Sequence, residues 1–236
     1  MTGERRAGRR RWPWVVAAMA LTLLAVGAFG WFVWLPNHRP DLRPGERLGV
    51  DVSRHQGTID WPAVAADDVD FAYIKASEGG DLVDTRFAEN WKGANAAGLQ
   101  RGAYHYFTLC RPGRDQGENF LRTVPYDPHA LPPAVDLEIA GNCSQRPSAA
   151  AVARELRDFV NTVEAGTGRK LVLYVGDDFE RRYPVALRPG RRIWARRMHR
   201  RPLSDGWWLW QFSGTSRVDG VHGHVDLNVM QPSDPS

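Results

Sequence analysis

Two carboxylates stand two positions apart in LPPAVDLE, residues 131–138: Asp136 and Glu138. Pro132 and Pro133 close a loop ahead of them, and Ala134, Val135 and Leu137 predict a buried strand. Side chains two apart on a strand share a face, so both acids would project together near the strand's C-terminal end. Carboxylates crowded in a poorly solvated place push their pKa values apart, leaving one protonated and one ionised. That division of labour suits glycosidic bond cleavage, in which one carboxyl protonates the leaving oxygen and another meets the developing sugar cation. The competing interpretation is a strand end with two solvated or ion-paired acids.

The same placement recurs along the chain. Asp51 lies in LGVDVS (48–53), a first strand, and Glu78 follows the strand VDFAYIKA (69–76). Asp226 lies in VDL (225–227). Further strands are predicted at 101–107, 170–175, 192–195 and 207–212. Helices are predicted at 84–98, 115–124 and 148–165, with short helical turns near Trp61 and at 179–183. Val152, Leu156, Phe159 and Val163 give the 148–165 helix its apolar stripe. Strand and helix alternate, which argues for a mostly parallel sheet with helical crossovers. No glycine-rich phosphate fingerprint follows the first strand, and the later connections are short. A closed α/β barrel therefore fits better than an open dinucleotide-binding sheet. In such barrels functional residues gather at the C-terminal strand ends, where Asp51, Glu78, Asp136, Glu138 and Asp226 fall.

The chain of 236 residues is long enough for a single catalytic domain. Residues 1–40 hold six of its 31 basic residues and one of its 27 acidic ones, so the remainder carries 25 against 26 and is near neutral. The net charge of +4 is thus a topogenic signal and not a nucleic-acid surface. From Trp14 to Leu35 run 22 residues without a charge, after Arg5, Arg6, Arg9, Arg10 and Arg11. That predicts a basic cytoplasmic tail (1–13), a transmembrane signal anchor (14–35), a linker (36–47) and an extracytoplasmic domain (48–232) in the cell membrane. If the apolar segment is instead a cleaved signal peptide, the domain is secreted. Cys110 and Cys143 could pair in that oxidising space, or stay as two buried thiols. Ten Trp exceed the needs of a core, so some are candidates for lining a groove. Tyr104, Tyr106, Tyr174, Trp194 and Trp210 sit on or at the ends of predicted strands, as core residues or as sugar platforms. His55 and His105 lack a third ligand at metal spacing, so no metal and no cofactor is expected.

Taken together, GVDVSRHQGTIDW (49–61), FAYIKASEG (71–79), FAENWKGANAAGL (87–99), GAYHYF (102–107), PAVDLE (133–138), WQF (210–212) and VDLN (225–228) resemble glycoside hydrolase family 25, the Chalaropsis-type lysozymes. The resemblance covers about Leu48 to Met230. It implies a modified β/α barrel with fewer helices than the regular form, acting on peptidoglycan at the β-1,4 bond between N-acetylmuramic acid and N-acetylglucosamine. It implies Glu138 as general acid/base and Asp136 as the carboxylate that stabilises positive charge or orients the acetamido group. Asp51 and Asp226 would line the same cleft, with Glu78, Tyr104, Tyr174, Trp194 and Trp210 binding substrate. Tyr174 and Trp210 are the aromatics it favours most. It also implies net retention, with the substrate's N-acetyl group as a candidate nucleophile. The chain departs from the family at Leu82, where an aromatic is common, and in the arginine-rich stretch 191–201. That stretch faces either anionic wall polymer or plain solvent. A monomer is expected, with glycan strands and the membrane as its partners.

Overall fold

The computed structural model describes residues 12–184, 188, 190–203 and 206–232. The basic tail lies mostly outside the described residues. The chain divides into a first unit, up to Arg39, and a second from Pro40 onward. In the first, Trp12–Asn37 is one 26-residue helical stretch, and no side chain from Trp12 to Phe29 is buried. At 1.5 Å per residue it is about 39 Å long, enough to cross a hydrocarbon core of about 30 Å. By length and composition it is a candidate membrane span, a test that a signal sequence also passes.

The second unit is a closed eight-stranded barrel. Its strands are β1 (Arg47–Val52), β2 (Phe71–Glu78), β4 (Gln100–Tyr106), β5 (Ala134–Leu137), β6 (Val172–Val175), β7 (Ile193–Arg196), β8 (Leu209–Ser216) and β9 (Val225–Met230). The two-residue β3 (Leu82–Val83) pairs only with β2, outside the ring. Every neighbouring pair from β1 round to β8 is parallel. β9 is inserted antiparallel between β8 and β1. Because β9 runs backwards, its first residues lie at the mouth where the other strands end.

Helical crossovers thin out along the chain. Trp61–Ala66, Phe87–Ala96, Gly113–Thr123 and Ala149–Thr167 connect the early strands, and Asp177–Arg182 follows β6. No helix is described between β7 and β8 or between β8 and β9. The 19-residue helix Ala149–Thr167 begins where Ser148 accepts the Ala151 N–H, and it ends at Gly168, whose φ of 67° favours glycine. Its buried face of Val152, Leu156, Phe159, Val160 and Val163 packs on the outside of the barrel. Residue alternation splits the core in two. Val50, Val52, Ile74, Val135, Leu137 and Leu173 face outward to the helices. Phe71, Tyr73, Ala134, Val172, Leu209 and Met230 fill the barrel. Glycines admit the two largest plugs: a Cβ at Gly49 would sit 2.3 Å from the Phe71 ring, and one at Gly102 would sit 2.5 Å from the Tyr73 ring. This interior is closed by packing, so a ligand can be received only at the mouth.

Candidate active site

The inward phase of seven of the eight strands delivers a residue to the mouth. Asp51, Tyr104, Asp136, Tyr174, Trp194, Gln211 and Asp226 line a cavity of about 90 Å³. Seven strands contribute to it, and the residues inside are those whose neighbours fill the outer core. Glu138 is one residue past the end of β5 and shares the inward phase of Asp136.

Hydrogen bonds fix the orientation of these groups. The Trp194 indole can only donate, and its Nε1 lies 2.8 Å from Asn228 Oδ1. Asn228 must therefore turn its amide nitrogen the other way, where it donates to Asp51 Oδ2 at 2.7 Å. The Tyr174 hydroxyl lies 3.1 Å from Glu138 Oε1 and 3.0 Å from Gln211 Oε1. One hydroxyl has one proton. It donates to Glu138, and a flip of the Gln211 amide, whose two ends are alike in shape, lets that residue donate in return. Asp136 Oδ1 is buried and has no protein partner among the described residues.

The electrostatics favour protons on the floor of the site. Burial pushes Asp136 well above the ordinary carboxyl range, and the charge of Glu138 adds to it; Lys75 opposes. Burial likewise raises Asp51, reinforced by Asp226 and opposed by the Asn228 hydrogen bond. Asp226 is raised to about 6, by burial first. Burial, then Glu138 and Asp136, hold the Tyr174 hydroxyl protonated, as its donor role needs.

The loop bearing Glu138 is tied down on three sides. The Tyr106 hydroxyl donates to the Ala140 carbonyl at 2.6 Å. Asn142 donates to the carbonyls of Phe107 (2.8 Å) and Glu138 (3.0 Å) and accepts from the Leu109 N–H. Cys110 and Cys143 are disulfide-bonded, with Cα atoms 6.3 Å apart. These links join the loop after β5 to the loop after β4.

Of the expected substrate contacts, the structure brings Tyr104, Tyr174 and Trp194 to the cavity. Glu78 is not part of that lining; it forms a 2.6 Å ion pair with Lys75, and its charge reaches Asp136. Trp210 does not line the cavity. Leu209 and Gln211 take the inward phase of β8, so Trp210 faces outward, packs on Trp207 and Phe212, and donates to the Arg197 carbonyl at 2.7 Å. Trp210 is buried in this outer packing. His105 is buried on the outer side, between Ser77 and Gln116, and burial lowers its pKa to about 3. Asn228, Gln211 and Lys75 are site residues that sequence reasoning missed. Asn228 stood in plain view at the end of VDLN, two positions after Asp226 and so on the same face.

A barrel closed by packing, with carboxylates crowded at its one open end, is an architecture for acid–base hydrolysis. Comparison with known proteins agrees. The model of glycosyl hydrolases family 25 matches residues 50–221, and the chain belongs to that family: it is a glycoside hydrolase. It is 38% identical over 190 residues to the uncharacterized protein YegX of Escherichia coli strain K12, covering 77% of this chain and 68% of the relative. It is 32% identical over 202 residues to Lysozyme M1 of Streptomyces globisporus, covering 78% and 68%. Among solved structures, a family 25 glycosyl hydrolase from Bacillus anthracis superposes with a TM-score of 0.75 at 33% identity, covering 84% of this chain and 94% of that one.

Proposed function

We propose that this chain is a muramidase that hydrolyses the β-1,4 bond between N-acetylmuramic acid and N-acetylglucosamine in peptidoglycan. Glu138 is the general acid/base, and Asp136 orients the acetamido group and faces the positive charge on the sugar. The observation that carries this is the unpartnered buried oxygen of Asp136. A buried carboxyl oxygen without a partner is costly, and an acetamide N–H from the substrate would satisfy it. Glu138 is the other half of the pair. Held by Tyr174, it can give its proton to the glycosidic oxygen and then take one from the incoming water. Asp136 holds a proton in the resting site; with substrate bound that proton passes to Glu138, which delivers it to the glycosidic oxygen, leaving Asp136 ionised to face the positive charge developing on the ring. Asp51 and Asp226 set the field on the floor. The relatives' name as lysozyme supports the choice of substrate.

The apolar helix Trp12–Asn37 supports a membrane-anchored enzyme with the barrel outside the cytoplasm. Product analysis tests the reading. Digestion of purified peptidoglycan should create new reducing ends on muramic acid. Reducing ends on glucosamine alone, or none, would overturn it.

A further inference from the structure

The arginine-rich run 191–201 divides by role. Arg191 forks onto Glu164 at 2.7 and 2.9 Å, tying the end of the helix Ala149–Thr167 to the approach to β7. Arg192 lies 4.3 Å above the Trp208 ring. Arg201 pairs with both carboxylate oxygens of Glu46 and lies over Trp207 and Trp210. These three hold the fold together.

Arg196 does not. It is exposed, and its side chain makes no hydrogen bond or ion pair with any described residue. Its place in the barrel is specific. Trp194, two residues earlier on β7, lines the cavity, and so does Gln211, the residue on β8 that pairs with Arg196. Arg196 shares that inward phase one layer nearer solvent, so its guanidinium emerges at the mouth above the acid floor. Its charge reaches Asp226 and Tyr174: burial raises both groups and Arg196 opposes the shift in each. Yet it forms no salt bridge with Asp226. An unpaired planar fork at the rim of a binding cleft is suited to a bidentate carboxylate.

We propose that Arg196 is a specificity-determining residue that receives a carboxylate carried by the substrate strand beside the bond to be cut. This rests on the muramidase reading. Of the two sugars in the strand, muramic acid alone carries a lactyl group. Its carboxylate is free where the stem peptide has been removed. Where the peptide is present the lactyl carbonyl is an uncharged amide, and the peptide brings carboxylates of its own. The shared chemistry is a carboxylate, and the two sources predict different substrates.

The test is steady-state kinetics of the full chain and of its Arg196→Gln and Arg196→Lys variants on three soluble strands. One strand bears peptides, one is stripped of them, and one is stripped with its lactyl groups converted to neutral methyl amides. Melting temperatures equal to the parent's establish folding. Arg196→Gln should raise KM by roughly tenfold, the worth of one charge-assisted pair, on the strand that supplies the carboxylate. Its kcat should stay within about twofold of the parent. Loss confined to the stripped strand identifies the lactyl group, and loss confined to the peptide-bearing strand identifies the peptide. Lys restores the charge without the fork and should recover KM in part. The same change in KM on all three strands would overturn the proposal. A loss carried in kcat, with a shifted pH profile on the neutral strand, would also overturn it and make Arg196 a field-setting neighbour of Asp226. Failure of the parent to cut any strand would instead defeat the muramidase reading, and the role of Arg196 with it.

Discussion

Asp51 and Asp226 are direct cross-strand partners in the antiparallel pair β1–β9, both turned into the barrel. Like charges directly opposite each other destabilise a sheet, so the pair is held together by a proton. Both folded-state pKa values lie above the ordinary carboxyl value, Asp226 at about 6. A raised carboxyl pKa means that the folded state binds the proton more tightly than the unfolded one. Stability is then full below the unfolded pKa and declines as pH rises through the folded value. Asp226→Asn should remove the share of this decline that belongs to Asp226, while the buried Asp51 keeps its own. The variant should match the parent near pH 4.5 and exceed it at pH 7 by on the order of 1–2 kcal/mol. Thermal unfolding across that range checks it. Equal losses at both pH values would show that the pair holds no shared proton.

Glu138→Gln keeps the shape and removes the proton that is transferred. Turnover on peptidoglycan should fall by roughly 10²–10⁴ while strand binding changes little. Asp136→Asn should cut turnover severely as well, because the group facing the developing cation loses its ability to ionise. Activity of well-folded Glu138→Gln within about threefold of the parent would remove Glu138 from the chemistry.

Tyr174→Phe deletes the hydroxyl between Glu138 and Gln211. Glu138 gains charge as it gives up its proton, and a hydrogen bond to an ionised group is worth about 1.5–3 kcal/mol, so kcat should drop by about ten- to a hundredfold with KM nearly constant. The alkaline limb of the pH–rate profile, along which a general acid loses its proton, should move too. An unchanged profile together with a raised KM would mean that Tyr174 serves only as a wall.

The Cys110–Cys143 bond closes a 33-residue separation. Chain-entropy arithmetic for a loop of that size gives about 3–4 kcal/mol. Reduction, or the double Ser variant, should lower stability by about that amount. It should also lower turnover at temperatures well below unfolding, because the loop bearing Glu138 loses one of its three ties. Stability lost with turnover intact below the transition would show that Tyr106 and Asn142 are sufficient to hold the loop.

The anchored topology is tested on intact spheroplasts, where external protease should remove the barrel. A mature N-terminus beyond residue 35 would instead mark the apolar helix as a cleaved signal.

Much of the site was legible because its acids break apolar runs that are otherwise hard to interrupt. Asp51, Asp136 and Asp226 each sit between residues that fill the outer core, and burial of an acid there has no structural motive. What was not legible was phase and direction. Trp207, Trp208 and Trp210 are near neighbours, and only the pairing of β8 shows that Trp210 points away from the mouth. The register of β2 shifts between Lys75 and Ser77. Simple alternation would set Lys75 and Glu78 on opposite faces, and the shift puts both at the mouth, where they pair. The reversal of β9 was equally hidden, since a strand of six residues reads the same in either direction.

That reversal also determines where the barrel can be held. β1 begins where β9 ends: Arg47 pairs with Met230, and Gly45 lies against Pro232. Both ends of the domain therefore leave from the closed pole, opposite the mouth. A tether, a tag or an added domain at either end should leave the route of a glycan strand to Glu138 clear.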